Sequence, residues 1–188
     1  MALVVSRDQI VSFDLAVISY VQRLEAPILT AIMKFFTTIG SFKWILVIAI
    51  VVIIFLYFVL KHRSELFLFT IVIAATPIIN GIIKGFFERA RPDLHRLIEI
   101  GGYSFPSGHA MNAMAVYGIL TFLFWRHIPS RLGRSVLIFI SSVFILMIGI
   151  SRIYLGVHYP SDIIGGYLAS GFWLAVSILV YQKYREKR

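Results

Sequence analysis

The sequence predicts an all-α integral-membrane bundle from three observations: its apolar content, five long runs free of charge, and basic clusters that sit between those runs rather than within them. Of 188 residues, 59% are hydrophobic and 15% aromatic, with a mean hydropathy of +0.87. That is more apolar side chain than a soluble core of this size needs. A bilayer core about 30 Å thick takes roughly 17–25 apolar helical residues to cross, because lipid offers the backbone no hydrogen-bond partner.

In chain order, the N-terminal stretch reads differently from the rest. Ile10, Phe13, Val17, Val21 and Leu24 recur at helical spacing among Asp14, Gln22, Arg23 and Glu25. This is the pattern of an amphipathic helix that docks on the membrane surface, or packs as a flap on the bundle, rather than crossing. Ser6 followed by Gln9 fits a capping box for its start, and Pro27 favours a break before a second short helix through Phe36. Met1 to Val5 is too short for the apolar core of a signal peptide and has no basic lead.

Five spans are then expected, over residues 44–60, 66–83, 110–125, 135–151 and 163–181. Pro77 inside the second frees a carbonyl and bends the helix, with Thr76 beside it to compensate. Gly165, Gly166 and Gly171 in the last favour close helix packing. The whole chain reads as one domain, with 1–43 an amphipathic surface segment, 44–181 a transmembrane bundle and 182–188 a basic cytoplasmic tail.

Charge and cysteine content remove several classes. A net charge of +9 would suit nucleic acid, but the Lys and Arg residues fall in short clusters between apolar runs, as topology signals do, so no nucleic-acid partner is expected. With alternating spans, Lys61-His62-Arg63, residues 126–134 and residues 183–188 share one side, which the positive-inside rule makes cytoplasmic. Residues 84–109 and 152–162 then face outward; their basic residues are discounted from the orientation count because they read as ligand-binding charges. The absence of Cys excludes disulfides, thiolate nucleophiles and iron–sulfur sites.

The outward connections hold three polar islands: Lys84-x6-Arg91-Pro92, then Pro106-Ser107-Gly108-His109, then Ser151-Arg152-x5-His158-x3-Asp162. Their residue types suit a phosphate dianion. Lys84, Arg91 and Arg152 would neutralise it, with the arginine forks adding directional bonds. Ser107 precedes an apolar span, so it can cap that helix while backbone N–H groups near Gly108 point at an anion. His158 and Asp162 are four apart with Pro160 between them, so a loop entering a helix would set the carboxylate on one ring nitrogen and leave the other exposed to react. Isolated basic residues and histidines at helix ends are ordinarily snorkelling or interfacial groups, the reading given to His62, His95 and His127. Phe105, Tyr103, Tyr154 and Tyr159 read by default as an interfacial aromatic belt.

Together, in this order, the islands resemble the tripartite signature of the type 2 phosphatidic acid phosphatase (PAP2) superfamily, with every signature position matched. The resemblance implies a lipid phosphate phosphatase in which His158 attacks phosphorus to give a phosphohistidine, Asp162 orients it, and His109 protonates the departing alcohol and then activates water. It also implies a phosphate cradle of Lys84, Arg91, Ser107, Gly108 and Arg152, no metal and no cofactor. Three cations and a helix N-terminus can do the charge stabilisation that a metal ion does elsewhere.

Size and the Pro-Ser-Gly-His form are similar to the bacterial phosphatidylglycerophosphate phosphatase B branch, with undecaprenyl diphosphate, phosphatidic acid and diacylglycerol diphosphate as alternative substrates. A lipid-phosphate-binding membrane protein without turnover is the non-enzyme alternative. Relatives usually have six spans where five are read here, which puts the N-terminal topology in question. Membrane lipids are the other expected partners, the active site is placed on the extracytoplasmic side, and the sequence gives no oligomeric state.

Overall fold

The apolar periodicity resolves into seven α-helices among the described residues. They are α1 (Ala2–Gln22), α2 (Pro27–Ile39), α3 (Phe42–Ile54, continued by a π-helical turn over Phe55–Val59), α4 (Arg63–Phe87), α5 (Gly108–Trp125), α6 (Arg131–Tyr154) and α7 (Pro160–Glu186). The computed structural model describes residues 2–59, 63–93 and 95–187, with side chains from residue 9 onward. Lys61 and His62 of the first basic cluster, and Arg188 of the tail, lie outside the described residues.

Among the described residues, four helical stretches are long and apolar enough to cross a bilayer: Phe42–Val59, Arg63–Phe87, Arg131–Tyr154 and Pro160–Glu186. The remaining expected span is α5, whose first turns carry His109 and Asn112. Its position accounts for its composition. It packs against α3, α4, α6 and α7, so its neighbours rather than lipid cover Met111, Ala115, Val116, Ile119 and Leu123. The outer faces of the other helices leave Phe67, Ile78, Phe139, Leu168, Phe172 and Leu179 exposed, which water would oppose and lipid accepts.

The main core joins Val52 and Leu56 of the α3 stretch, Phe69 and Val72 of α4, Ile119 and Leu123 of α5 and Leu174 of α7. Helices α5 and α7 meet closely because Gly166 faces the start of α5: a Cβ there would lie 2.9 Å from the Ser107 carbonyl oxygen and 3.0 Å from the Ala110 Cβ. Pro77 sits inside α4 as expected, but Thr76 does not cover the carbonyl it frees. The Thr76 hydroxyl donates to the Val72 carbonyl at 2.7 Å, one residue earlier, where the Trp173 indole also arrives at 3.3 Å.

The N-terminal helices are joined to the bundle. Helix α1 packs on α6 and α7, and α2 on α6; Ile18 sits with Ala110, Ile153 and Ile163, and Met33 with Tyr154, Leu155 and Val157. Pro27 opens α2 as expected. Helix α1 is already helical from Ala2, so Ser6 lies within it and is not its cap. The start of α4 and the ends of α5 and α7 gather at one end of the bundle, where Arg126 pairs with Glu65 at 2.8 Å and the Ser64 and Tyr181 hydroxyls lie 3.3 Å apart.

Candidate active site

At the other end the three islands converge, each by a local device. Lys84 occupies the last turn of α4 and its ammonium donates to the Tyr103 carbonyl. One turn earlier, Asn80 donates to the Pro106 carbonyl at 3.1 Å and so holds the turn that leads into the second island. From the connection between α4 and α5, Arg91 reaches back with Nε donating to the carbonyls of Gly101 and Gly102 at 3.2 and 2.9 Å, and with Nη1 donating to the Val157 carbonyl at 2.8 Å.

Ser107 caps α5, its hydroxyl oxygen 3.5 Å from the Ala110 N–H, while its own N–H donates to the Asp162 carbonyl at 3.1 Å and ties the second island to the third. The third island reverses direction at Gly156. Its φ of +73° is open mainly to glycine, and the Val157 N–H closes the turn on the Arg152 carbonyl at 3.2 Å. This reversal returns His158 toward the arginine it follows.

His158 is 2% exposed and Asp162 fully buried. The Arg91 Nη1 lies 3.1 Å from His158 Nε2. Arginine has only donors, so Nε2 receives this bond through its lone pair and the ring proton resides on Nδ1. Nδ1 faces Asp162 Oδ2 and the Ser104 hydroxyl, each at 3.4 Å. The same Oδ2 accepts from Ser104 at 2.5 Å and from the Tyr159 N–H at 2.9 Å. Burial pushes His158, in the loop between α6 and α7, down to about 4. Its contact with Asp162 opposes this, and the charges of Arg152 and Arg91 reinforce it. The imidazole is therefore neutral at physiological pH.

Arg152, 1% exposed, donates to the Thr37 hydroxyl on α2. Its Nε is a buried donor with no acceptor among the described residues, a cost that an incoming anion would remove. The Thr37 backbone carbonyl receives a hydrogen bond from His109, which also lies within electrostatic range of Arg152 and His158. Lys84 is likewise within range of Arg91, Arg152 and Asp162. All eight residues expected from the sequence thus gather at one end of the bundle.

Sequence reasoning missed Asp14, Thr37, Asn80, Arg89 and Ser104. Arg89 lies inside the Lys84-x6-Arg91 spacing yet forms the closest ion pair with Asp162, at 2.8 Å, and a second with Asp14, also at 2.8 Å. Asp14 was read as part of a polar face, but it is buried. A carboxylate flanked by Phe13 and Leu15 in an apolar helix seldom goes unpaired, and that was the available signal. The aromatic residues also differ from a simple belt: Tyr154 is buried and its hydroxyl lies 2.8 Å from that of Thr30, and Tyr159 stacks under Arg89 with its ring centre 4.1 Å from Cζ. Among the described residues, no group of three or more His, Asp or Glu side chains is placed to hold a metal ion.

A helical membrane bundle that concentrates cations and a neutral imidazole at one end falls in the class of integral-membrane phosphatases. The PAP2 superfamily profile matches residues 65–186, and the chain belongs to that superfamily. It is 30% identical to phosphatidylglycerophosphatase B of Bacillus subtilis over 168 residues, covering 89% of this chain and 82% of the relative. It is 29% identical to a lipid A 1-phosphatase of Rhizobium etli over 127 residues, covering 62% of this chain and 50% of the relative.

The crystal structure of a transmembrane PAP2-type phosphatidylglycerolphosphate phosphatase from Bacillus subtilis superposes with a TM-score of 0.81 at 29% identity, covering 94% of this chain and 86% of that one. The protein is therefore a multi-pass membrane protein and a phosphoric monoester hydrolase of the lipid phosphatase type.

Proposed function

We propose that the protein hydrolyses phosphatidylglycerophosphate to phosphatidylglycerol through a phosphohistidine on His158, without a metal. The observation that carries this reading is the state of His158: a neutral ring whose Nε2 lone pair points at Arg91 while Nδ1 faces Asp162. A phosphate drawn to Lys84, Arg91 and Arg152 would engage the Arg91 fork and release that lone pair next to phosphorus.

In the first step Nε2 forms a bond to phosphorus as the phosphorus–oxygen bond to the lipid breaks, and His109 gives its proton to the departing alkoxide. Asp162 faces the Nδ1–H and balances the positive charge the ring acquires. In the second step His109 takes a proton from water, the hydroxide attacks phosphorus, and the phosphorus–nitrogen bond breaks to free inorganic phosphate and His158. Ser107 and the backbone N–H groups around Gly108 at the start of α5 supply further donors to the phosphoryl oxygens.

The substrate reading rests on similarity to the Bacillus subtilis phosphatidylglycerophosphatase. Undecaprenyl diphosphate, phosphatidic acid and diacylglycerol diphosphate offer the same terminal phosphate and are the competitors. The opposite end of the bundle exposes Arg63, Arg126, Arg131, Lys183, Arg185 and Lys187, which supports a cytoplasmic location for that end and an extracytoplasmic one for the site.

The test is a competition assay in mixed vesicles that present these lipids at equal surface density, with excess chelator throughout. Preferential loss of phosphatidylglycerophosphate supports the reading, and faster turnover of a polyprenyl diphosphate overturns the substrate. A requirement for a divalent metal overturns the mechanism.

A further inference from the structure

The proposed chemistry depends on where Asp162 points, and this carboxylate is held from behind by groups outside the three islands. Arg89 divides its fork. Nη1 donates to Asp162 Oδ1 at 2.8 Å and to the Ser161 hydroxyl at 2.7 Å, while Nη2 donates to Asp14 Oδ2 at 2.8 Å. Asp14 in turn accepts from the Ser161 backbone N–H at 2.8 Å through Oδ1 and from the Ser161 hydroxyl at 2.6 Å through Oδ2. It therefore supplies, from a distant helix, the acceptor that a first-turn N–H of α7 lacks within its own helix.

Asp14 is 1% exposed, in a segment of α1 whose neighbours are apolar. Burying a carboxylate there is expensive unless it is paired, and its hydrogen bonds among the described residues go to Arg89 and to Ser161, the residue adjacent to Asp162. Arg89 itself is 28% exposed. With one arm on Asp162 alone it would be free to swing toward solvent; with the other arm fixed by Asp14 and its face against Tyr159, the fork has one orientation left.

We propose that Asp14, with Arg89 and Ser161, is a positioning network that fixes the Asp162 carboxylate against His158, so that helix α1 is a working part of the catalytic centre. This rests on the reading of His158 as the nucleophile and Asp162 as its orienting group. The network touches neither substrate nor the reacting atoms. It acts by keeping the imidazole aligned for in-line attack, where misplacement by about 1 Å costs on the order of 100-fold in rate. The phosphate cradle of Lys84, Arg91 and Arg152 does not pass through Asp14, so ground-state binding is left intact when the network is broken.

The experiment is steady-state kinetics of the full chain in detergent micelles containing phosphatidylglycerophosphate, comparing wild type, Asp14→Asn and His158→Ala, with inorganic phosphate as a competitive inhibitor. Asp14→Asn is expected to lower kcat by about 10- to 100-fold, with KM and the inhibition constant of phosphate each within threefold of wild type. A merely structural role would reduce phosphate affinity and kcat together. That parallel loss, or a kcat within twofold of wild type, overturns the proposal.

If Asp14→Asn does not yield folded protein, Ser161→Ala removes one bridge of the network without stranding a charge. It is expected to lower kcat at least threefold with the same unchanged KM, and an unchanged kcat overturns the proposal. An inactive His158→Ala beside a normal Asp14→Asn removes only the network. An active His158→Ala removes the mechanism on which the network depends.

Discussion

The two ends of the bundle carry charge in opposite ways. At the site end Asp14, Arg152, His158 and Asp162 are buried and bonded across long stretches of sequence, Arg152 to Thr37 and Ser161 to Asp14 among them. At the other end Arg131, Lys183, Arg185 and Lys187 are exposed, and the one buried acid named there, Glu65, is matched by Arg126. Exposed charges near a membrane surface cost little and orient the chain, whereas buried ones are tolerated only where partners have been built for them. The distinction between topology and chemistry therefore lies in burial rather than in the number of basic residues, since both ends are rich in them.

The contrast can be broken or sharpened by substitution. The largest effect is expected from His158→Ala, which should lower phosphate release by about 10³-fold or more, because it removes the imidazole proposed to attack phosphorus; turnover near wild type would contradict the assignment. Thr37→Val takes away the hydroxyl that receives Arg152, and kcat/KM is expected to fall about tenfold, from the cost of another unmatched buried donor. An unchanged value would make α2 a bystander.

Acidity tests the site end as a whole. Because burial holds His158 down to about 4, the acid-side loss of kcat/KM should set in only near pH 4, where Nε2 takes up a proton. Half-loss near pH 6.5 would mean that the ring is solvated rather than enclosed. The smallest effect on activity is expected at the far end. Glu65→Gln breaks a pair whose carboxylate is 5% and whose arginine is 40% exposed, and should lower thermal stability with kcat within twofold. A large loss of kcat there would erase the difference between the ends.

Much of this was legible from residue order. The helices of the bundle followed from uncharged apolar runs, and the three islands from chemistry-bearing residues at fixed spacing beside those runs. Contacts that cross from the N-terminal helices were not, and the reasons are physical. Asp14 and Thr37 are single polar residues with no spacing partner, and their meaning arises only when α1 and α2 pack on α6 and α7. Arg89 was hidden by its neighbour, because the eye assigns the charge of this stretch to Arg91, whereas Arg89 is the one that meets Asp162. Thr76 shows the converse: a hydroxyl beside a proline reads as a local repair, yet it bonds the carbonyl one place away.

The clasp between Asp14 and Ser161 spans 147 residues of chain, so it also bears on biosynthesis. The carboxylate leaves the ribosome long before the amide that will receive it. Until the final hairpin has inserted, that helix carries an acid with no mate and is better hydrated at the surface than sunk in hydrocarbon. Insertion of α7 thus completes a contact that α1 began, and on the proposed role of Asp14 the site is assembled only once α7 is in place.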